Sequence, residues 1–337
     1  MRGMPLRITS VLGLGLLGLV VLAAGAWGAL ALAISGPQAL RLPLAAGFGA
    51  ASLAALIALA LRQWRWRALG AYLSVFAVLL AWFFSLDASN DRDWVPENER
   101  LAHATIEGDA ITVHNIRNFD YRSENDFTPA YYDKRFDLAK LEGVDLVATY
   151  WMGPAVAHIF LSFAFAGGDQ LAISIETRKE KGEGYSTVKG FFRQYELYYV
   201  VADERDVIRL RTNYRKDPPE QVHVYRLNGK SESARRVFMS YVEAINALKA
   251  RPAFYNSLTT NCTTTIWMHS LVNPGNVPFS WKILASGYVP EYLYGQGRLV
   301  DRGLPFAELQ RQTQVNARAQ KADTAADFSR QIRQPPQ

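Results

Sequence analysis

The sequence is poor in cysteine, since Cys262 is the only one among 337 residues. A single cysteine excludes an internal disulfide, so no disulfide framework stabilises this fold. Cys262 lies in the stretch YNSLTTNCTTTIWMHS, residues 255–270. Three interpretations are open at this point: a small buried hydrophobe, a thiol that pairs with another chain, or a nucleophile.

Charged residues are nearly missing from the first quarter of the chain. Residues 1–86 contain six arginines, no lysine and no acidic residue. Three uncharged apolar runs, residues 8–35, 43–61 and 68–86, approach or exceed the roughly 20 residues that cross a bilayer. We predict three transmembrane helices in a region that ends at residue 86. A cleaved signal peptide is the alternative for the first run alone.

The flanking arginines predict the orientation of these helices. Two arginines precede the first run, and the segment RQWRWR places Arg62, Arg65 and Arg67 in the second loop, whereas the first loop has only Arg41. Cytoplasmic loops carry the excess of Lys and Arg. We therefore expect a cytoplasmic N-terminus, a periplasmic remainder and a location in the bacterial inner membrane.

The remaining chain has no net charge. Residues 87–337 contain 31 basic and 31 acidic side chains, so the net charge of +6 belongs to the membrane region. Nucleic-acid binding requires a basic face or stripe, and we therefore predict no nucleic-acid partner. Histidines, the cysteine and carboxylates show no metal-ligand spacing, so we expect neither a metal nor another cofactor.

Residues 87–305 are predicted to form one α+β domain. Alternating and apolar runs indicate strands, which fall in residues 110–122, 144–152, 155–168, 169–178, 195–201 and 223–227. Two helices follow, one over residues 231–252 and one that begins near Cys262, where Asn261 and the preceding threonines are good N-cap residues. Residues 306–337 are rich in Gln, Ala, Arg and Asp, and we expect a polar, flexible tail.

A cysteine in the first turn of a helix is well placed for nucleophilic chemistry. The free N–H groups and the helix dipole stabilise a thiolate and can also bind an oxyanion. His158 is the best candidate base among the five histidines, because it opens an otherwise apolar strand, whereas His269 lies about 10 Å further along the helix. Glu176 is the candidate that orients the imidazole; an exposed Glu paired with Arg178 is the alternative.

Five motifs resemble one known family when taken in order. They are HNIRNFDYR, AHIFLSFAF, LAISIETRKEKGEGYS, RQYELYYVVADERDVIRLR and FYNSLTTNCTTTI, over roughly residues 110–275. The family they resemble is the Lnb N-terminal periplasmic domain family, whose named member is a lipoprotein N-acyl transacylase. The resemblance implies Cys262 as nucleophile and His158 as base. The order His before Cys is also similar to permuted papain-like proteins, which implies an antiparallel sheet packed on the cysteine helix and transfer through a thioester.

The leading hypothesis is a membrane-anchored, extracytoplasmic cysteine acyltransferase that acts on a membrane lipid or lipoprotein. A papain-like amide hydrolase, such as a cell-wall peptidase, is the second. A non-enzymatic lipid- or peptide-binding protein, with residues 114–122 as a headgroup-binding strand, is the third. The aromatic segments of the strands either line an acyl cleft or belong to the core. The candidate catalytic residues are Cys262, His158 and Glu176, and the candidate supporting residues are Asn261, Arg117, Asn118 and Arg178.

Overall fold

The computed structural model describes residues 4–334, with side chains from residue 12 onward. The chain forms two compact units, one of Met1–Ala88 with Ser186–Gln194 and one of Ser89–Tyr185 with Tyr195–Gln337. Three apolar helices occupy the first unit and a sheet with further helices occupies the second. The predicted α+β class with an N-terminal three-helix region is therefore confirmed.

The first unit is built on α1 (Met4–Ser35), α2 (Arg41–Ala60) and α3 (Arg65–Phe84). Apolar stretches of 24, 20 and 20 residues in these helices are long enough to cross a membrane. Each helix lies within a few residues of its predicted run. Charged residues are confined to the helix starts and loops, because a charge at mid-bilayer depth is costly.

Close packing joins the three membrane helices. Phe48 of α2 and Leu79 of α3 are buried against α1. A Cβ added at Gly28 would lie 2.4 Å from the Phe48 ring and 2.6 Å from the Leu79 side chain. Helix association in lipid depends on such close approach, so a small residue is required at this point.

The first unit also contains the segment Ser186–Gln194, which the sequence analysis assigned to the domain of residues 87–305. Phe192 is buried beside Ala31 and Phe83, and its ring centroid lies 6.1 Å from that of Trp27. The Arg193 side chain donates to the carbonyl oxygen of Leu86 at 2.9 Å. Aromatic packing and this hydrogen bond therefore hold the segment on the membrane helices.

Eight strands of the second unit form one sheet in the order β1-β2-β9-β8-β7-β6-β10, with β5 paired to β2. A separate hairpin is formed by β3 and β4. The strands are β1 (His103–Glu107), β2 (Ala110–Arg117), β3 (Asp120–Tyr121), β4 (Phe127–Thr128), β5 (Tyr131–Asp137), β6 (Leu141–Tyr150), β7 (Ala157–Phe165), β8 (Gln170–Arg178), β9 (Glu196–Ala202) and β10 (Gln221–Arg226).

The sheet is mixed, which corrects the prediction of an antiparallel sheet. Strands β2 and β9 are parallel and share one paired position, Arg117 with Ala202, whereas the other strand pairs of this sheet are antiparallel. The Asp203 N–H donates to the Arg117 carbonyl at 2.9 Å, and Asp206 binds the Arg117 side chain. These contacts just beyond β9 hold the two strand ends side by side.

Helices cover both faces of the sheet. One face carries α5 (Ser231–Ala250) and α6 (Cys262–Ser270), whose apolar residues pack on β6, β7 and β8. The other face carries α4 (Glu204–Arg209), a π-helical turn (Leu210–Tyr214) and the last two C-terminal helices, Asn316–Lys321 and Phe328–Gln331. Short helices α7 (Trp281–Leu284) and α8 (Val289–Gly295) follow α6.

The prediction of a flexible, unpacked tail is wrong for residues 306–334. This segment forms α9 (Phe306–Thr313), α10 (Asn316–Lys321) and α11 (Phe328–Gln331), and Phe328 is 1% exposed. Arg333 binds Asp145 at 2.7 Å and Glu204 at 2.6 Å, and both carboxylates are buried. Widely spaced apolar residues and one cation that neutralises two buried anions therefore fix the segment on the sheet.

Candidate active site

Cys262 is the first residue of α6, as predicted. Its helix is capped by Asn261, whose side-chain oxygen accepts from the Thr264 N–H at 2.9 Å while the Asn261 N–H donates to the Thr264 hydroxyl at 3.1 Å. The N–H groups of Cys262 and Thr263 precede the first intrahelical hydrogen bond and have no partner within the helix. Asn261 thus fixes a helix N-terminus whose free donors surround a partly buried thiol.

His158 lies near the start of β7, directly beside the thiol. Its side chain and the N–H of the adjacent Ile159 both act on the Cys262 thiol and lower its pKa. His158 Nε2 lies 2.7 Å from Ser174 Oγ and 3.2 Å from Glu176 Oε1. Because these oxygens occupy Nε2, Nδ1 is the ring nitrogen left to face Cys262.

Ser174 and Glu176 approach the histidine from β8. Residues two apart on a strand point to the same face, which places both side chains on the His158 side of the sheet. The Ser174 hydroxyl donates to Glu176 Oε1 at 2.8 Å. Ser174 therefore accepts from the imidazole and donates to the carboxylate, which connects His158 to Glu176.

Arg211 holds the far side of Glu176, and sequence reasoning missed it. Its Nη2 lies 3.3 Å from Glu176 Oε1, and its Nη1 lies 3.0 Å from Glu220. The Arg211 side chain is 7% exposed and belongs to the π-helical turn after α4. Single π-helical turns occur frequently at functional sites. Arg211 is the last residue of one of the five sequence motifs, and this position was the signal that could have identified it. No neighbouring residue in the sequence predicts that Glu176 is its partner.

The electrostatics of the three groups favour an ion pair. Burial lowers the pKa of His158, but the Glu176 carboxylate and Cys262 together outweigh it and raise this pKa to about 9. Burial raises the pKa of Cys262, yet the hydrogen bond from His158 brings it below its ordinary value. Burial likewise acts against ionised Glu176, while His158 and Arg211 hold the pKa of Glu176 well below its usual range. The imidazolium is therefore favoured at neutral pH, and it stabilises the thiolate form of Cys262.

Arg117 and Arg178, predicted to support the site, form other contacts. Arg117 binds Asp206 through two hydrogen bonds, of 2.7 and 3.0 Å, and is buried. Arg178 lies 4.1 Å over the Trp94 ring and donates to main-chain carbonyls. Asn118 lies on the wall of a polar cavity beside α11. These contacts place all three side chains in the framework of the domain and not beside Cys262.

His269 is excluded as the base by its partners. Its ring nitrogens are hydrogen-bonded to the Tyr199 hydroxyl at 2.7 Å and to the Ser240 hydroxyl at 2.8 Å. Burial lowers the pKa of His269 to about 4, which keeps the ring neutral. Among residues 4–334, the side chains described form no group of three histidines, cysteines or carboxylates that could hold a metal ion.

Fold and site together define a membrane protein whose second unit is an α+β domain with a Cys–His pair backed by a carboxylate. Residues 127–287 match the sequence model of the Lnb N-terminal periplasmic domain family. The match includes Cys262, His158 and Glu176, and it confirms the resemblance predicted from the motifs. No curated protein and no solved structure matches the chain. The protein is therefore a membrane protein with a periplasmic domain.

Proposed function

We propose that this protein is a cysteine acyltransferase, anchored in the inner membrane with its N-terminus in the cytoplasm, that acts on a membrane lipid or lipoprotein. The observation that supports the proposal best is that the imidazole acting on the Cys262 thiol is itself hydrogen-bonded to Ser174 and paired with Glu176. A nucleophile, a base that contacts it and a third group that orients the base are the requirements of covalent catalysis. The order His158 before Cys262 corresponds to a permuted papain-like layout.

In the first half-reaction, the Cys262 thiolate attacks the carbonyl carbon of an ester and a C–S bond forms. The oxyanion accepts hydrogen bonds from the free N–H groups at the start of α6. When the tetrahedral intermediate collapses, the ester C–O bond breaks and the leaving alcohol takes the proton of the His158 imidazolium. The products are a thioester on Cys262 and a neutral imidazole.

In the second half-reaction, an acceptor amine or hydroxyl attacks the thioester carbonyl and transfers its proton to His158. The C–S bond breaks, which restores the thiolate and the imidazolium. Glu176 and Ser174 keep the ring oriented through both steps, and the carboxylate stabilises the protonated ring. Every proton that leaves one group is thus taken up by another.

The membrane helices favour a lipid-linked substrate over a cell-wall peptide. Three anchoring helices keep the domain within reach of lipids and raise their effective concentration. The arginines of the loop after α2 support an extracytoplasmic domain by the positive-inside rule. An amide hydrolase would use the same three residues with water as the acceptor.

Intact-mass spectrometry of the full-length protein in proteoliposomes tests the proposal. After incubation with a synthetic diacyl lipopeptide or phospholipid, we expect an adduct of one acyl chain on Cys262 that hydroxylamine removes. Cys262→Ala and His158→Gln should abolish it, whereas His103→Gln, outside the site, should retain it. Cleavage of muropeptides without any acyl adduct would favour the hydrolase. Absence of both activities would reject catalysis.

A further inference from the structure

An apolar cavity of about 220 Å³ lies between α5, α6 and strands β6 and β7. Its walls include Leu146, Leu161, Val237 and Leu293. Ordinary small-molecule pockets measure roughly 300–1,000 Å³, so this cavity suits a slender apolar ligand.

One end of the cavity is lined by the chain neighbours of the site residues. Ile159, which follows His158 in β7, lines it. Thr263, which follows Cys262 in α6, lines it as well. A ligand at this end therefore contacts residues that adjoin both His158 and Cys262 in the chain.

From this end the cavity follows one face of α6. Thr263, Ile266, Trp267 and Ser270 contribute to its wall. Their spacing of three, four and seven residues puts them on one side of a helix. The interval from Thr263 to Ser270 corresponds to about 10 Å along the axis.

The far end has a charged rim. Asn273, just after α6, donates to the Ser233 carbonyl at 3.1 Å, which brings the end of α6 to the start of α5. Lys230 and Arg298 are exposed and line the cavity there. The apolar wall thus ends at two cations, on the side away from Cys262.

We propose that the cavity holds the acyl chain of the substrate, with the ester carbonyl at Cys262 and the chain along α6. This inference rests on the proposed acyltransferase function. A single acyl chain matches the apolar wall and the narrow shape, and the three membrane helices place the protein among molecules that carry such chains. Phe163 and Phe165 pack in the core against Phe238 and do not line the cavity, so the aromatic strand segment is not the acyl site.

Because charges close one end of the cavity, the length of its apolar wall selects the length of the bound acyl chain. A chain longer than the apolar wall would bring methylene groups against Lys230 and Arg298, and desolvation of those cations opposes this. Val237→Phe fills part of the cavity from α5, where Val237 is partly exposed, and shortens the space. Each methylene lost from an apolar pocket changes selectivity by about tenfold or more.

The test measures thioester formation on the full-length protein with diacyl lipopeptides of increasing chain length. We expect Val237→Phe to lower the ratio of long-chain to short-chain adduct by about tenfold or more. Ala247→Phe, on the exposed face of α5, is the matched control and should keep the wild-type ratio. An unchanged ratio in a Val237→Phe protein that retains the wild-type melting temperature would overturn the assignment.

A second measurement separates this inference from the proposed function. A fatty acid with a photoreactive diazirine near its methyl end is cross-linked to the Cys262→Ala protein, which cannot transfer. Labelled peptides from α5 and α6 would support the cavity even if no acyl adduct had formed on wild type. Labelling elsewhere, together with an adduct on Cys262, would reject the cavity and retain the acyltransferase.

Discussion

Replacement of Glu176 by glutamine should disable the thiol without removing it. Glutamine keeps the size of the side chain and can still accept a hydrogen bond from Ser174, but it carries no charge. Glu176 is the group that raises the pKa of His158 most strongly against the effect of burial. We therefore expect the imidazolium, and with it the thiolate of Cys262, to lose stability in this variant.

The size of the effect follows from the electrostatics of the pair. The difference between the ordinary histidine pKa of 6.5 and a pKa of about 9 corresponds to roughly 3 kcal/mol in favour of the imidazolium. If glutamine removes half of this or more, the thiolate population near pH 7 falls by about 10-fold to 100-fold. The rate at which the thiol is alkylated should fall by a similar factor, because the thiolate is the reacting form.

Alkylation by iodoacetamide measures this quantity directly. Cys262 is the only cysteine of the chain, so every adduct reports on this thiol. Rates are measured from about pH 5 to pH 10 on wild type, Glu176→Gln and the matched control Glu142→Gln, which changes an exposed carboxylate on β6. We expect the apparent pKa of the reaction to lie below that of free cysteine in wild type and to rise in Glu176→Gln alone.

Two results would refute this reasoning. A wild-type thiol that titrates like free cysteine would show that His158 does not stabilise the thiolate. Identical pH profiles in wild type and Glu176→Gln would show that the carboxylate has no influence on the pair, whatever its distance. A drop in both glutamate variants would indicate a general loss of structure, and circular dichroism distinguishes that outcome.

The raised pKa of His158 also predicts that the stability of the fold depends on pH. The stabilisation that the imidazolium gains in the folded protein is complete below pH 6.5 and is lost as the pH rises through about 9. The melting temperatures of wild type and Glu176→Gln should therefore differ more near pH 6 than near pH 10. Arg211→Met should slow alkylation, but less than Glu176→Gln does, because it removes a partner of the carboxylate and leaves its charge; an unchanged rate would contradict a positioning role. Arg333→Met removes the cation paired with buried Glu204 and leaves buried Asp145 with Arg226 alone, and it should lower the free energy of unfolding by about 3–5 kcal/mol in urea titrations. Arg330→Met, which removes an exposed ion pair, should change it little.

Local sequence was sufficient for the parts of the site that depend on local geometry. An Asn before a run of threonines predicts a helix start, and the structure caps α6 with Asn261. The alternation in β8 predicts that Ser174 and Glu176 share a face, and both contact His158. In each case the relevant neighbours are at most a few residues apart, so N-cap preference determines where α6 begins and the two-residue period of a strand determines which side chains of β8 share a face.

Contacts between distant residues could not be predicted in this way. Arg211 and Glu176 are 35 residues apart in the sequence. Arg211 lies in a π-helical turn, and no sequence signature predicts such a turn. Arg117 and Arg178 are predicted to support the site because they lie within the motifs, but charge alone does not reveal a partner such as Asp206 or Trp94. The tail was mistaken for a flexible segment because its buried positions are few, and the Arg333 anchor lies against residues more than a hundred positions earlier.

The surroundings of Cys262 argue against a thiol kept for packing alone. A buried hydrophobe needs only apolar neighbours, whereas here a largely buried imidazole faces the sulfur and a carboxylate stands behind it. Burial of an ion pair costs desolvation energy that a packing role does not require. A thiol of lowered pKa is also vulnerable in the oxidising periplasm, and a protein that used it only for packing would be better served by alanine or valine. The arrangement therefore fits the reactive thiolate of the proposed acyltransferase better than a thiol used for packing.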